Sequence, residues 1–295
     1  MQLDIVKSKK FEEERPLFAL SDATIRDCVF KKGESALKMC KNLKILNCSF
    51  EYKYPLWYSN NIEVKNSTFN KLSRSGIWHS ANLSIENCVF LSPKNFRRAS
   101  DITIMNCDFK DAKETLWTCS GVKLVDCKFN NADYIGFNSI DVKLENVEIS
   151  GNYSFDGAKN LMVQNCRIYS KDAFWNTENV VVENSYIEGE YLAWNSRNIY
   201  FVNCIIKSTQ GLCYCDNLHI ENSDLTSSSL LFEYSNVDVN AKGVIKSILN
   251  PQKGRINADR ILTLIIQNDK VNTLKTQINC PNIESTSDII DWSDI

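Results

Sequence analysis

Asp172 and Glu190, with Lys171 beside the first, are the residues of this 295-residue chain whose types suit acid and base work. Glycoside hydrolysis needs two carboxyls roughly 5 to 10 Å apart, and these two fall in neighbouring copies of a short repeat. Around them stand Trp175, Asn176, Trp194, Asn195, Gln210, Tyr214 and Glu233. Flat rings offer apolar faces to a sugar, while amides and carboxylates bond its hydroxyls. The set therefore reads as a carbohydrate-binding surface, with Asp172, Glu190 and Lys171 as the candidate catalytic group. The same residues also suit tight turns and rings packed against loops, and the sequence leaves both readings open.

Other chemistries find less support. His79 and His219 are the only imidazoles, and spacing assembles neither into a Ser-His-Asp or Cys-His centre. Cys213 and Cys215 are close in sequence, but no second pair at metal-ligand spacing accompanies them, so no metal is expected. Glycine is scarce, at 10 residues, and no phosphate-cradling motif is present, so no cofactor is expected. A net charge of −2 gives no sign of a nucleic-acid partner. No apolar run approaches the roughly twenty residues of a membrane span. The opening Met-Gln-Leu-Asp-Ile-Val-Lys has no export-signal character, so the expected location is cytoplasmic. Oligomeric state stays open.

What would hold the candidate residues is a repeat. Asp22, Asn42, Asn61, Asn82, Asp101, Gly121, Asp141, Asn160, Asn179, Asn198, Asn217 and Asn236 start twelve copies at steps of 19 to 21 residues. In each copy apolar residues follow one and three places later, as in Ile199 and Phe201, which is the period-2 mark of a half-buried strand. Asn or Asp comes next (Asn47, Asn66, Asn87, Asn203), residues that tolerate the left-handed conformation of a sharp corner and whose stacked amides form a ladder. A second strand carries Cys or another small residue, then Phe30, Phe50, Phe69, Phe90, Phe109 and Phe129, with Ile149, Ile168, Ile187, Ile206, Leu225 and Val244 continuing the column. The period fits one turn of a parallel β-helix. The expectation is an all-β, single-stranded, right-handed parallel β-helix of about twelve or more turns.

Between copies runs a third apolar stretch whose inward column includes Leu37, Leu56, Phe174 and Leu231. The next place holds Phe18, Trp57, Trp78, Trp117, Phe137, Trp175, Trp194 and Phe232, but also Lys38, Arg97 and Asp156. A dry interior would not accept those charges unpaired, so the column is assigned to the outside. The column after it (Tyr58, His79, Arg98, Asn195, Tyr214, Glu233) is too polar for the inside, which requires a bend in the strand. Residues 1–21 are expected to form an N-terminal cap, 22–266 the β-helix, and 267–295 a C-terminal cap or tail of the same domain. Seven of the 12 cysteines occupy the small inward position and are expected to be core residues rather than disulfides.

Four motifs in order, Lys171-Asp172-Ala173-Phe174-Trp175-Asn176, Gly189-Glu190-Tyr191-Leu192-Ala193-Trp194, Thr209-Gln210-Gly211-Leu212-Cys213-Tyr214-Cys215 and Phe232-Glu233-Tyr234-Ser235, precede Asn250-Pro251. They resemble the bacterial domain-of-unknown-function family 3737. The resemblance spans nearly the whole chain and implies a pectin-lyase-like right-handed β-helix, with no catalytic residue to carry over. Three functions follow as expectations. The first is binding of a carbohydrate or similar polar ligand on the aromatic-lined outer face. The second is a polysaccharide lyase or glycoside hydrolase using the paired carboxylates, and the third a structural or protein-interaction scaffold.

Overall fold

The computed structural model describes residues 4–290, which fall into two compact units, Met1–Gly151 and Asn152–Ile295. In the first unit Ala23, Leu43, Ile62, Leu83, Ile102, Val122 and Val142 lie over one another on parallel strands. All seven are buried. The second strands stack Phe11, Phe30, Phe50, Phe69, Phe90, Phe109 and Phe129 in register. Their ring centroids are 4.2 to 5.1 Å apart and their planes within 20°, close to the strand spacing of about 4.8 Å. A ring on every rung thus meets its neighbour face to face. Burying each contributes roughly 1.5–3 kcal/mol.

The corners are left-handed, as their residue types imply. Asp27, Asn47, Asn66, Asn87, Asn106, Asp126 and Asn146 have φ between 49° and 55°. Their side chains form short ladders in which an amide donates to the rung before: Asn47 to Asp27 at 3.0 Å, Asn106 to Asn87 at 2.6 Å, Asn146 to Asp126 at 3.0 Å. Asp27 and Asp126, and likewise Asp22 under Asn42, stand at ladder starts, where an acceptor-only carboxylate leaves no amide hydrogen unused. Just past the corner, Cys28, Cys48, Cys88, Cys107 and Cys127 are buried, each thiol donating to the carbonyl two residues earlier at 3.1 to 3.3 Å. All twelve cysteines are free.

The third stretch bends too. Tyr58, His79, Arg98, Thr118 and Asn138 have φ of 48° to 55°, which turns them outward beside the partly buried Trp57, Trp78, Arg97, Trp117 and Phe137 and sends the next residues, Ser59, Ser80, Ala99, Cys119 and Ser139, back inside. The N–H that follows such a bend is met by a hydroxyl on the next rung, as in Ser59 N to Ser80 Oγ at 3.0 Å and Cys119 N to Ser139 Oγ at 3.0 Å. This accounts for the hydroxyls at Ser59, Ser80 and Ser139 in a column otherwise filled by small residues such as Cys40, Ala99 and Cys119.

The second unit repeats the plan with aliphatic residues. Leu161, Val180, Ile199, Leu218 and Val237 form one inward column, and Ile168, Ile187 and Ile206 the other. Late in the unit the Asn corner is lost, and Asn236–Leu249 and Lys253–Ile265 run as long strands with a register shift between Ala241 and Val244. That shift corrects the inward column: Ile245 is fully buried there, while Val244 is only half-buried.

The end segments carry rungs of their own. Asp4–Lys7 pairs with Ala23–Arg26 and Lys10–Phe11 with Val29–Phe30. Thr276–Asn279 and Ile283–Ser287 stack on Gly254–Asn257 and Ile261–Ile265, so the segment from 267 onward adds strands to the ladder as well as following it. Residues 1–3 and 291–295 of the expected caps lie outside the described residues.

Candidate functional site

The second strand lengthens in the second unit, from the two residues of Val89–Phe90 to the five of Tyr186–Glu190 and Ile205–Thr209. Period-2 alternation then puts Ile187 and Ile206 inward and Glu188, Glu190, Lys207 and Thr209 on the outer face. Gly189 permits the close stacking, since a Cβ there would fall 1.9 Å from the Ser170 carbonyl oxygen. The result is a hollow of about 470 Å³ lined by Lys171, Glu188, Gly189, Glu190, Lys207, Ser208, Thr209 and Ser227.

Its charges are paired but wet. Lys171 Nζ lies 3.1 Å from Glu190 Oε2, both side chains about half exposed, and this bond raises the lysine pKa. The Tyr186 hydroxyl donates to Glu188, and the Lys207 ammonium lies 5.4 Å over the Tyr186 ring. Lys171 likewise sits 5.4 Å over Tyr191.

Tyr191 joins the hollow to the row of rings. It meets Trp194 edge-on at 5.8 Å, and its carbonyl accepts the Trp175 indole N–H at 2.6 Å. Trp175, Trp194, Tyr214 and Tyr234 follow one another at 6.1, 5.0 and 5.5 Å, mutually tilted by 35° to 50°. Asn176 and Asn195 belong to a ladder rooted on Asp156, with bonds of 2.9 and 2.8 Å, and so hold the bend. At the far end Gln210 bonds Glu233, whose carboxyl burial pushes upward. Burial, then the Glu233 charge, raises the Tyr214 pKa.

The structure thus brings Lys171 and Glu190 together in the hollow, and Trp175, Trp194 and Tyr214 into a row of rings that Tyr191 links to Lys171, with Gln210 bonded to Glu233. Asp172 stands apart. It is 2 % exposed, and its Oδ2 is enclosed without a hydrogen-bond partner, while Tyr153 bonds the carboxylate. Burial raises its pKa, Glu190 adds to the rise, and Lys171 opposes it. Asp172 and Glu190 therefore do not flank one cleft: the first lies in the wall, the second on the outer face.

One register differs from the sequence expectation. The copy ending at Ser235 is a residue longer, so Phe232 is fully buried instead of outward. Tyr234 (φ 51°), rather than Glu233, occupies the bend over Tyr214. Glu188, Lys207, Thr209, Tyr191 and Tyr234 were not singled out by sequence. The signal was the extended alternation Tyr186-Ile187-Glu188-Gly189-Glu190, repeated in Ile205-Ile206-Lys207-Ser208-Thr209.

Residues 4–279 match the family model described as "Protein of unknown function (DUF3737)". The chain belongs to that family. No curated protein matches it in sequence. The DUF3737 chain is similar in structure to PfbA, a surface adhesin of Streptococcus pneumoniae, at 11% identity and TM-score 0.40 over 94% of this chain and 81% of that one. It is also similar to the A-module of the Azotobacter vinelandii mannuronan C-5 epimerase AlgE4, at 9% identity and TM-score 0.32 over 97% and 87%. This DUF3737 member is an all-β parallel β-solenoid.

Proposed function

We propose that the protein is a binding module for a carbohydrate, held on the outer face of the second unit. The observation that carries this is the open hollow in which Glu188, Glu190, Lys207 and Thr209 point outward from paired strands, with Lys171 beside them in the turn after Arg167–Tyr169. Alternating donors and acceptors at strand spacing are what a chain of sugar hydroxyls needs. The rings serve differently from the sequence expectation. Trp175, Trp194 and Tyr214 lean on one another, so beyond the hollow they offer edges and the exposed Tyr214 instead of open faces. A reducing, cytoplasmic compartment fits twelve free cysteines.

The test is a glycan array on the native protein, followed by titration of the strongest hit against Lys171→Ala and Thr209→Ala. The reading expects affinity to fall by about tenfold or more in each variant. Absence of any hit, or hits indifferent to both substitutions, would overturn it.

A polysaccharide lyase or glycoside hydrolase is the second reading, favoured by the raised Asp172 pKa next to the Lys171–Glu190 pair. With Asp172 enclosed, Glu190 and Lys171 would be the groups touching substrate, and Asp172 would position them. Product release from a bound polysaccharide that survives Glu190→Gln would remove this reading.

A further inference from the structure

The first unit carries an outer surface that the carbohydrate reading does not use. Phe18, Met39 and Tyr58 are 48%, 49% and 50% exposed. They sit on consecutive rungs, joined by the bonds Ala19 N to Lys38 O (2.9 Å) and Met39 N to Trp57 O (2.8 Å). Met39 and Tyr58 follow one another in the bend column and Phe18 stands one place before it; half-exposed apolar side chains of this size on neighbouring rungs mark interaction sites.

Behind them the rings are locked. Trp57 and Trp78 stack at 5.1 Å and 7°, and the Arg97 guanidinium lies between Trp78 (4.6 Å) and Trp117 (4.4 Å). Tyr58 stacks on His79 at 4.8 Å and 5°, with the Lys38 ammonium 5.6 Å over its ring. The Trp57, Trp78 and Trp117 indoles each donate to a backbone carbonyl, at 2.6, 2.9 and 2.6 Å. Faces are spent on neighbouring rungs, so edges point outward. The edge is the positive side of the ring quadrupole, and Lys38, Arg97 and the exposed Arg98 add full charges of the same sign. Glu114, the carboxylate set against Arg97, is held by Lys94 at 3.0 Å and Arg97 at 3.1 Å.

We propose that this row is a docking surface for an acidic segment of a partner protein that also carries apolar side chains. Charge complementarity selects the acid. The apolar trio selects a protein, because a sugar would need the ring faces that are covered. Aromatic, Met and Arg enrichment is the composition of protein interfaces.

The probe is a fluorescein-labelled twelve-residue peptide alternating Asp with Leu and Phe, read by anisotropy against a Gly-Ser peptide of the same length and against polygalacturonate. The expected result is saturable peptide binding that weakens about tenfold or more between low and high salt. Met39→Ala with Arg98→Ala, both at exposed positions, should weaken it by about tenfold or more with an unchanged circular dichroism spectrum. Binding no tighter than the Gly-Ser control, or unchanged in the double variant, would overturn the surface. Polygalacturonate binding without peptide binding would overturn the choice of occupant.

Discussion

The two units use one repeat for two different ends. In the first, a phenylalanine on each rung from Phe11 to Phe129 fills the shaft by face-to-face stacking, and the second strand needs only two residues, as in Ser49–Phe50. In the second, Ile168, Ile187 and Ile206 fill the same column, and the strand extends to five residues, as in Tyr186–Glu190. The outer faces differ accordingly. The first unit presents rings stacked flat around Arg97, whereas the second presents a row of tilted rings and a charged hollow. A solenoid tolerates such divergence because each rung contacts chiefly its neighbours, and only the inward residues and left-handed corners are common to both.

The sharpest break of this comparison is in the core. Phe90→Ala should destabilise the first unit by about 3–5 kcal/mol, since the rings above and below cannot close the gap. Ile187→Val in the second should cost only about 0.5–1.5 kcal/mol. Urea unfolding of both variants checks the ranking, and equal losses would show that stacking adds nothing special.

Gly189→Ala comes next. Its Cβ would meet backbone at Ser170 and Lys171, so the strand must shift, at about 1–3 kcal/mol. Thermal melting should register the loss, together with weaker binding in the hollow. Arg97→Ala should cost about 1–2 kcal/mol through the two lost ring contacts, more than loss of the single, half-exposed Lys171–Tyr191 contact in the second unit.

The smallest effect concerns Asp172. Its folded pKa is raised, so the folded state binds the proton more tightly than the unfolded chain. The linkage slope is then negative: stability falls as pH rises from the ordinary aspartate range through the raised value. Asp172→Asn should flatten that decline and leave stability at low pH nearly unchanged. A melting temperature measured from pH 3 to 8 decides it, and an unchanged slope would mean the carboxylate is better solvated than its enclosure indicates.

Much of this was legible in the residues themselves. The corners at Asn47 or Asn203 follow from the tolerance of Asn for positive φ, and the inward columns from period 2, both local properties. The bend at Tyr58 and His79 was implied by polar residues where alternation demanded apolar ones. What escaped depends on neighbours along the stack. An extra residue before Phe232 and the shift at Ala241 are invisible to a fixed period, because composition on either side stays repeat-like. That the tryptophans show edges, and that Asp172 is sealed in the wall, follow only from rung lying on rung.

The most direct test of the ligand face is hydrogen–deuterium exchange on the native protein, with and without the strongest glycan from the array. The account predicts added protection in 186–191 and 205–210, the strands that carry Glu188, Glu190, Lys207 and Thr209. Protection confined to other segments, with those two unchanged, would contradict it.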